Sequence, residues 1–195
     1  MRNVFDPSIT VTSPFPLAEY PTLFHWTQRA RHSVADDTVP NELSEWMEWQ
    51  QERAHHLDTW AIWGNNEIIG YVDCTGQTQD EPLLVVFHLS VIFKRDLWSV
   101  RNVCVALNLV LKDVFVCDED QRGYPDIVVV RVIARNESMR HILTNIGFVN
   151  IGKLEDVKQG ENLAKVDIYG ITNLEWQKTN KVFIAESQAV AAVGD

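Results

Sequence analysis

The stretch Asn136-Glu137-Ser138-Met139-Arg140-His141-Ile142-Leu143-Thr144-Asn145-Ile146-Gly147-Phe148 carries the clearest structural signal in this chain of 195 residues. Asn136 stands where a helix N-cap belongs. Apolar residues then recur at i, i+3, i+4 and i+7, the spacing of one helix face. Those residues are Met139, Ile142, Leu143 and Ile146. Gly147 follows where a left-handed C-terminal residue belongs, and Phe148 can fold back onto the last turn. The stretch therefore predicts a capped, amphipathic helix.

Strands are predicted on both sides of this helix. The residues from Ile127 to Ile133 form an almost uninterrupted apolar run, as does the segment from Leu83 to Phe93, and both runs are typical of buried strands. Between them, residues 99–116 predict a helix that is apolar nearly all round, so it must pack on more than one side. After the capped helix come strands over Val149 to Leu154 and Val166 to Ile171, with one helical turn near Leu174 to Lys178.

The N-terminal part predicts an edge strand, two helices and a hairpin. The strand is Ile9-Thr10-Val11-Thr12, and the helices run from Leu17 (or Pro21) to about His32 and from Glu42 to His55. Gly64-Asn65-Asn66 is a turn signal between two strands, which are Trp60 to Trp63 and Glu67 to Asp73, and Thr75 to Pro82 reads as a polar loop. The order predicts a mixed α/β layer with one sheet, formed by a single domain over 1–178, with 179–195 an unassigned tail.

Composition excludes several classes of function. The chain is 46% hydrophobic, which excludes global disorder. Its net charge of -10 argues against extensive nucleic-acid binding or a grip on anionic membrane. No apolar run is long enough for a membrane span, and the N-terminus lacks the pattern of a secretion signal. Cys74, Cys104 and Cys117 form no C-x-x-C pair, and the histidines lack zinc-ligand spacing, so we expect reduced thiols in a cytoplasmic protein and no metal.

The element order, with Asn136 to Phe148 inside it, resembles the GNAT superfamily of acyl-CoA-dependent N-acetyltransferases. It is most similar to the RimJ/RimL-like branch, whose penultimate helix carries an Asn and ends in Leu-Gly-Phe. The resemblance extends over about residues 8–178 and is strong over 127–176. The further matching residues are Gly152, Glu155-Asp156, Gly160, Asp167, Tyr169 and Glu175-Trp176.

The resemblance implies a mixed central sheet with splayed parallel strands, flanked by helices, and an acetyltransferase that uses acetyl-CoA as co-substrate. The donor would lie between the strands 83–93 and 127–133, with its pyrophosphate at the N-terminus of the helix over 99–116. The residues expected to bind it are Val91, Phe93, Arg95, Ser99, Val100, Arg101, Asn102, Val103 and Asn136. The acceptor would be an amine of a protein N-terminus or a small molecule, and a homodimer stays open.

The chain departs from the family pattern at two places. The family's phosphate loop carries glycines that let the backbone approach the pyrophosphate, whereas Arg101 and Val103 occupy those positions here. Arg101 could obstruct the phosphate or bind it, together with Lys94 and Arg95. Ser or Tyr on the penultimate helix often protonates the leaving thiolate, but Met139 and Leu143 stand there and cannot donate a proton. A GNAT-fold binding or structural protein without catalysis therefore remains the alternative to an enzyme.

Candidate bases are His88, on a predicted central strand, and Asp73, at the end of its neighbour. The pKa of histidine suits proton removal, but a core histidine with satisfied ring nitrogens fits equally. Asn136 is either a plain cap or a CoA ligand, and Tyr169 either lines the acceptor groove or packs. The four tryptophans between Trp46 and Trp63 are expected partly in the core and partly along a cleft. Acidic residues on and just before the second of the two predicted N-terminal helices would either attract a cationic amine or form an ordinary solvated face. They are Asp36, Asp37, Glu42, Glu45, Glu48 and Glu52.

Overall fold

A seven-stranded mixed sheet forms the centre of the protein. A computed structural model describes residues 6, 8–30, 40–54, 57–80, 83–94, 99–116, 125–159 and 162–185. The strands are β1 (Ile9–Thr12), β2 (Leu57–Gly64), β3 (Glu67–Asp80), β4 (Leu83–Phe93), β5 (Ile127–Ile133), β6 (Val149–Gln159) and β7 (Asn162–Ile171). Their order across the sheet is β1-β2-β3-β4-β5-β7-β6. Among the described strands β4 and β5 pair in parallel, and every other neighbouring pair is antiparallel.

Helices cover the two faces of the sheet unequally. They are α1 (Tyr20–Ala30), α2 (Leu43–Ala54), α3 (Val100–Val116), α4 (Glu137–Ile146) and α5 (Asn173–Thr179). The apolar side chains of α1 and α2 pack with Ala61 and Tyr71 on one face of the sheet. Those of α3, α4 and α5 pack with Ile62, Val72 and Val128 on the other face. Because side chains alternate along a strand, each strand residue can be assigned to one of these faces.

The predicted helix cap is confirmed in detail. The Asn136 side chain accepts a hydrogen bond from the backbone N–H of Met139. Gly147 is left-handed with φ of 111°, and the N–H groups of Gly147 and Phe148 both donate to the carbonyl of Leu143. The four apolar positions of α4 are all buried, so its sequence pattern alone defines the helix face.

Several strands are longer than the sequence predicts. The prediction of a polar loop over Thr75 to Pro82 is wrong for the part the structure describes. Thr75 to Asp80 continue β3 and pair with β4 from His88 to Leu83. Polar residues are tolerated here because the ladder hydrogen bonds come from the backbone, whatever the residue type. The hairpin of β6 and β7 likewise starts its pairing at Gln159 and Asn162, outside the predicted strands.

The C-terminal residues contribute to the core. Lys181 to Ala185 form a helical turn after α5, and Phe183 is 1% exposed within the cluster that α3 and α4 build. Asn180, between the two helical segments, donates to the carbonyls of Ile146 and Trp176. The last described residues therefore pack against the domain.

The described cysteines are unpaired and buried. Burial raises the pKa of the Cys104 thiol to about 11 and also raises the pKa of Cys74. Both thiols are therefore protonated at neutral pH and are poor nucleophiles. Cys117 lies outside the described residues. None of the described helices is long and apolar enough to cross a membrane.

Candidate active site

The two parallel strands pair over a short stretch and then part. The register joins Val86 to Ile127, Phe87 to Val128 and His88 to Val129. Beyond His88 and Val129, β4 runs on to Phe93 and β5 to Ile133, and the described residues of the two strands pair no further. Past this short ladder, the backbone N–H and C=O groups on the facing edges of β4 and β5 have no ladder partner among the described residues of the other strand. We call this unpaired stretch between β4 and β5 the strand gap.

Asp126 fixes the closed end of the strand gap. Its carboxylate Oδ2 accepts a hydrogen bond of 2.7 Å from the N–H of Val85, and its own N–H donates to the Val85 carbonyl at 2.8 Å. These bonds hold the start of β5 to β4 just before the short parallel ladder. They therefore set where the pairing begins.

The amino end of α3 is capped by Ser99. The Ser99 Oγ accepts from the N–H of Asn102 at 3.1 Å, and its carbonyl accepts from Val103 at 3.0 Å. A helix N-terminus with N–H groups and a positive dipole end stabilises an anion. Val100 is partly buried against the core, and Val103 is fully buried within it. The Val103 side chain therefore points into the core.

Arg101 points away from the core and makes an ion pair. Its Nη2 lies 2.9 Å from Oδ2 of Asp6, and 61% of the side chain is exposed. Lys94 is paired as well, with Glu67 at 3.1 Å. The predicted basic cluster is thus balanced by a carboxylate at each of its described members, while Arg95 lies outside the described residues.

The two faces of the strand gap carry different chemistry. Val91 and Phe93 of β4 are partly buried and pack toward α3 and α4. Asp73 pairs with Ser90 and Thr75 with His88, so these four side chains lie on the opposite face, which α1 and α2 cover. A donor held near α3 and α4 and an acceptor entering beside α1 and α2 would therefore meet in the gap.

The structure brings His88 and Asp73 together, as diagonal neighbours on adjacent strands. His88 is half-buried, and burial together with the nearby Arg131 guanidinium lowers its pKa. The imidazole is consequently neutral at pH 7, the state that a general base requires. Asp73 is 7% exposed and lies between Thr59 of β2 and Ser90 of β4.

The penultimate helix α4 presents no proton donor at the positions where the family has one. Met139 and Leu143 are buried, at 8% and 0% exposure. Tyr169 is also in the core, where its hydroxyl accepts a hydrogen bond of 3.3 Å from Nε of Arg140. That nitrogen also lies 3.2 Å from the buried carboxylate of Asp167. These contacts agree with the packing role that the sequence left open for Tyr169.

The tryptophans and the acidic residues divide between core and surface. Trp46 is fully buried between α1 and α2, while Trp60 lies in the main core and donates from Nε1 to Asp113 at 3.1 Å. Trp49 and Trp63 are partly buried against the α1–α2 cluster. The glutamates on α2 and the one just before it are exposed, which fits both a solvated face and a face that attracts a cationic substrate. They are Glu42, Glu45, Glu48 and Glu52. Asp36 and Asp37 lie outside the described residues.

Two residues of this region were not singled out by the sequence. Asp6 was overlooked because its partner Arg101 is far along the chain, although an Asp two residues before Ser8 is a local turn signal. That turn is present: Oδ1 of Asp6 accepts from both the N–H and the hydroxyl of Ser8. Asp126 was also missed, since only the pairing of β4 with β5 gives it a role.

The class of protein follows from this geometry: a mixed sheet whose parallel strands part beside a helix N-terminus is the architecture of an acyl-CoA-dependent acyltransferase. The family model described as "Acetyltransferase (GNAT) domain" matches residues 12–149. The chain therefore belongs to the GNAT acetyltransferase family, and the fold predicted from the sequence is confirmed. A sequence search of curated proteins gave no significant match.

Solved structures share the fold at low sequence identity. A putative acetyltransferase from T. thermophilus has a TM-score of 0.70 and 17% identity, with 93% of this chain and 95% of that chain covered. A spermidine N-acetyltransferase from Vibrio cholerae, in complex with CoA and spermine, has a TM-score of 0.74 and 12% identity over 88% and 99%. A ribosomal-protein-alanine N-acetyltransferase from Brucella melitensis has a TM-score of 0.66 and 13% identity over 84% and 99%. These similarities show a shared fold. Membership of the RimJ/RimL-like branch stays a prediction.

Proposed function

We propose that this protein transfers an acetyl group from acetyl-CoA to the amine of a protein N-terminus or small molecule. The observation that carries the proposal is the strand gap, which leaves backbone groups of β4 and β5 open beside the capped end of α3. An extended pantetheine arm can hydrogen-bond such an edge, and the helix end suits a diphosphate. The CoA and spermine in the Vibrio cholerae structure support this donor and a cationic acceptor.

The reaction needs two reactants in line and a route for protons. The neutral amine attacks the thioester carbonyl, a C–N bond forms, and the C–S bond breaks to release CoA thiolate. The amine loses its proton to a base, for which neutral His88 is the first candidate and Asp73 the second. The thiolate takes up a proton from water or from the base that has accepted the amine's proton, because Met139 and Leu143 cannot supply one.

A binding protein without catalysis is the second candidate. The observation that favours it is the apolar, buried character of Met139 and Leu143, which leaves α4 without a proton donor at those positions. A fold persists after its chemistry is lost, so the two candidates must be separated by experiment.

Titration calorimetry with acetyl-CoA, followed by an acetylation assay, tests the proposal. We expect binding at micromolar strength and acetylation of a polyamine or of peptides with a free N-terminus. In His88→Gln we expect kcat to fall by about 10²-fold with CoA affinity unchanged, the loss typical of a removed general base. His141→Gln, at an exposed position on α4, is the matched control and should behave as wild type.

The outcomes separate the candidates. Donor binding without turnover of any amine would favour the binding protein, and no binding up to millimolar acetyl-CoA would contradict the acetyltransferase. If His88→Gln turns over as fast as wild type, His88 is not the base. Asp73 then becomes the candidate, and Asp73→Asn tests it. The expected compartment is the cytoplasm.

A further inference from the structure

The ion pair between Arg101 and Asp6 occupies the place where the family carries a glycine of its phosphate loop. We propose that Asp6 tunes the affinity of the donor site: its carboxylate competes with the donor's phosphates for Arg101 and so weakens donor binding. This inference rests on the proposed function, since the phosphates are those of the acyl-CoA.

The carboxylate of Asp6 is held in place independently of Arg101. Its Oδ1 accepts two hydrogen bonds from Ser8, at 3.0 Å from the N–H and 2.7 Å from the hydroxyl. The Asp6 carbonyl accepts from the N–H of Ile9, the first residue of β1. The other oxygen, Oδ2, lies 2.9 Å from Nη2 of Arg101. Asp6 is therefore held at the start of β1 by contacts that do not involve Arg101.

The position of this charge follows from the packing of β1. Ile9 lies in the same core cluster as the α3 residues Val103 and Leu107, and Val11 packs against it. The turn that precedes β1 is thereby brought to the first turn of α3. The Asp6 side chain is 20% exposed against 61% for Arg101, so the guanidinium is the partner that can turn toward solvent.

The chemistry of the two groups defines the competition. A guanidinium binds a carboxylate or a phosphate with the same donor geometry, so Arg101 can exchange Asp6 for a donor phosphate. A fixed carboxylate near the site also repels a polyphosphate. Removing it leaves one uncompensated positive charge beside the helix N-terminus, which should tighten the binding of phosphate-bearing ligands.

The test measures CoA binding to wild type, Asp6→Asn, Arg101→Gln and the double variant. We expect Asp6→Asn to bind CoA about two- to fivefold more tightly at low salt, the range of an exposed ion pair, and the gain to shrink as NaCl rises. In the Arg101→Gln background most of the gain should disappear. Pantetheine, which lacks the phosphates, should bind all four proteins alike.

Glu155→Gln is the matched control, because it breaks an ion pair of the same length, 2.9 Å to Lys165, on the β6–β7 hairpin. It should leave CoA affinity unchanged. If wild type binds CoA but Asp6→Asn binds equally or more weakly, the inference is overturned while the proposed function stands. If neither protein binds CoA up to millimolar concentration, both fail. If Asp6→Asn binds CoA and wild type does not, the inference is supported, because the Asp6 carboxylate then prevents donor binding altogether.

Discussion

At the scale of single residues, burial and a neighbouring cation decide the protonation state of the candidate base. The pKa of His88 is lowered, first by burial and then by Arg131. In the unfolded chain the ring takes up its proton near pH 6.5, while the folded protein resists protonation. The stability that neutral His88 contributes is therefore complete above about pH 6.5, and it is lost as the pH falls through the lower pKa that His88 has in the folded protein.

The lowered pKa of His88 can be tested by comparing the pH dependence of stability in His88→Gln and wild type. Between pH 7 and pH 5, His88→Gln should lose less stability than wild type, because glutamine does not titrate. Urea unfolding midpoints at half-unit pH steps measure this. Parallel pH dependences for the two proteins would mean that the pKa of His88 is not depressed in the folded state. Acidic groups elsewhere act on both proteins and cancel in the comparison.

Among the helices and strands, α4 depends on Asn136, which the sequence allows either as a helix cap or as a CoA ligand. Its Oδ1 is engaged by the N–H of Met139 at 3.2 Å, which accounts for an asparagine at this position. Asn136→Ala should cost about 1 kcal/mol of unfolding free energy, since one N–H of the first turn loses its partner. Asn136→Ser can still cap the helix, so it should remain within about 0.5 kcal/mol of wild type.

CoA affinity then distinguishes the two roles of Asn136. We expect Asn136→Ser to bind CoA as wild type does, because the cap explains the residue. A clear loss of CoA affinity in this stable variant would show instead that the carboxamide contacts the donor. Thr172→Ala, which removes the capping box of α5, controls for a general effect of a lost cap.

At the scale of the whole molecule, both ends of the described chain close one core. Ile9 of β1 and Phe183 after α5 belong to the same cluster of buried residues. Phe183→Ala should destabilise the protein by about 3–5 kcal/mol, the cost of an emptied aromatic site. Its neighbour Val182 is 63% exposed, and Val182→Ala should change stability by less than about 0.5 kcal/mol. Denaturant unfolding of the two variants checks this, and equal effects would contradict the placement of Phe183.

Elements whose signals are local can be predicted from the order of residues along the chain. The capped helix α4 was predicted with its core face, and β1, β4 and β5 with their bounds, because helix caps and apolar runs depend on neighbours along the chain. The resemblance to the family also rested on these segments. The residue types in the phosphate loop and on α4 are properties of the sequence, so the departures from the family pattern follow from the sequence alone.

The contacts of those residues, by contrast, depend on how the chain folds. That Val103 points into the core and Arg101 outward to Asp6 depends on how β1 packs against α3, which joins residues far apart along the chain. The polar end of β3 is a strand because β4 pairs with it, and His88 and Asp73 share a face because of that same register. The physical reason is common to all three: pairing and packing between distant segments are properties of the folded chain, and no local pattern of residues encodes them.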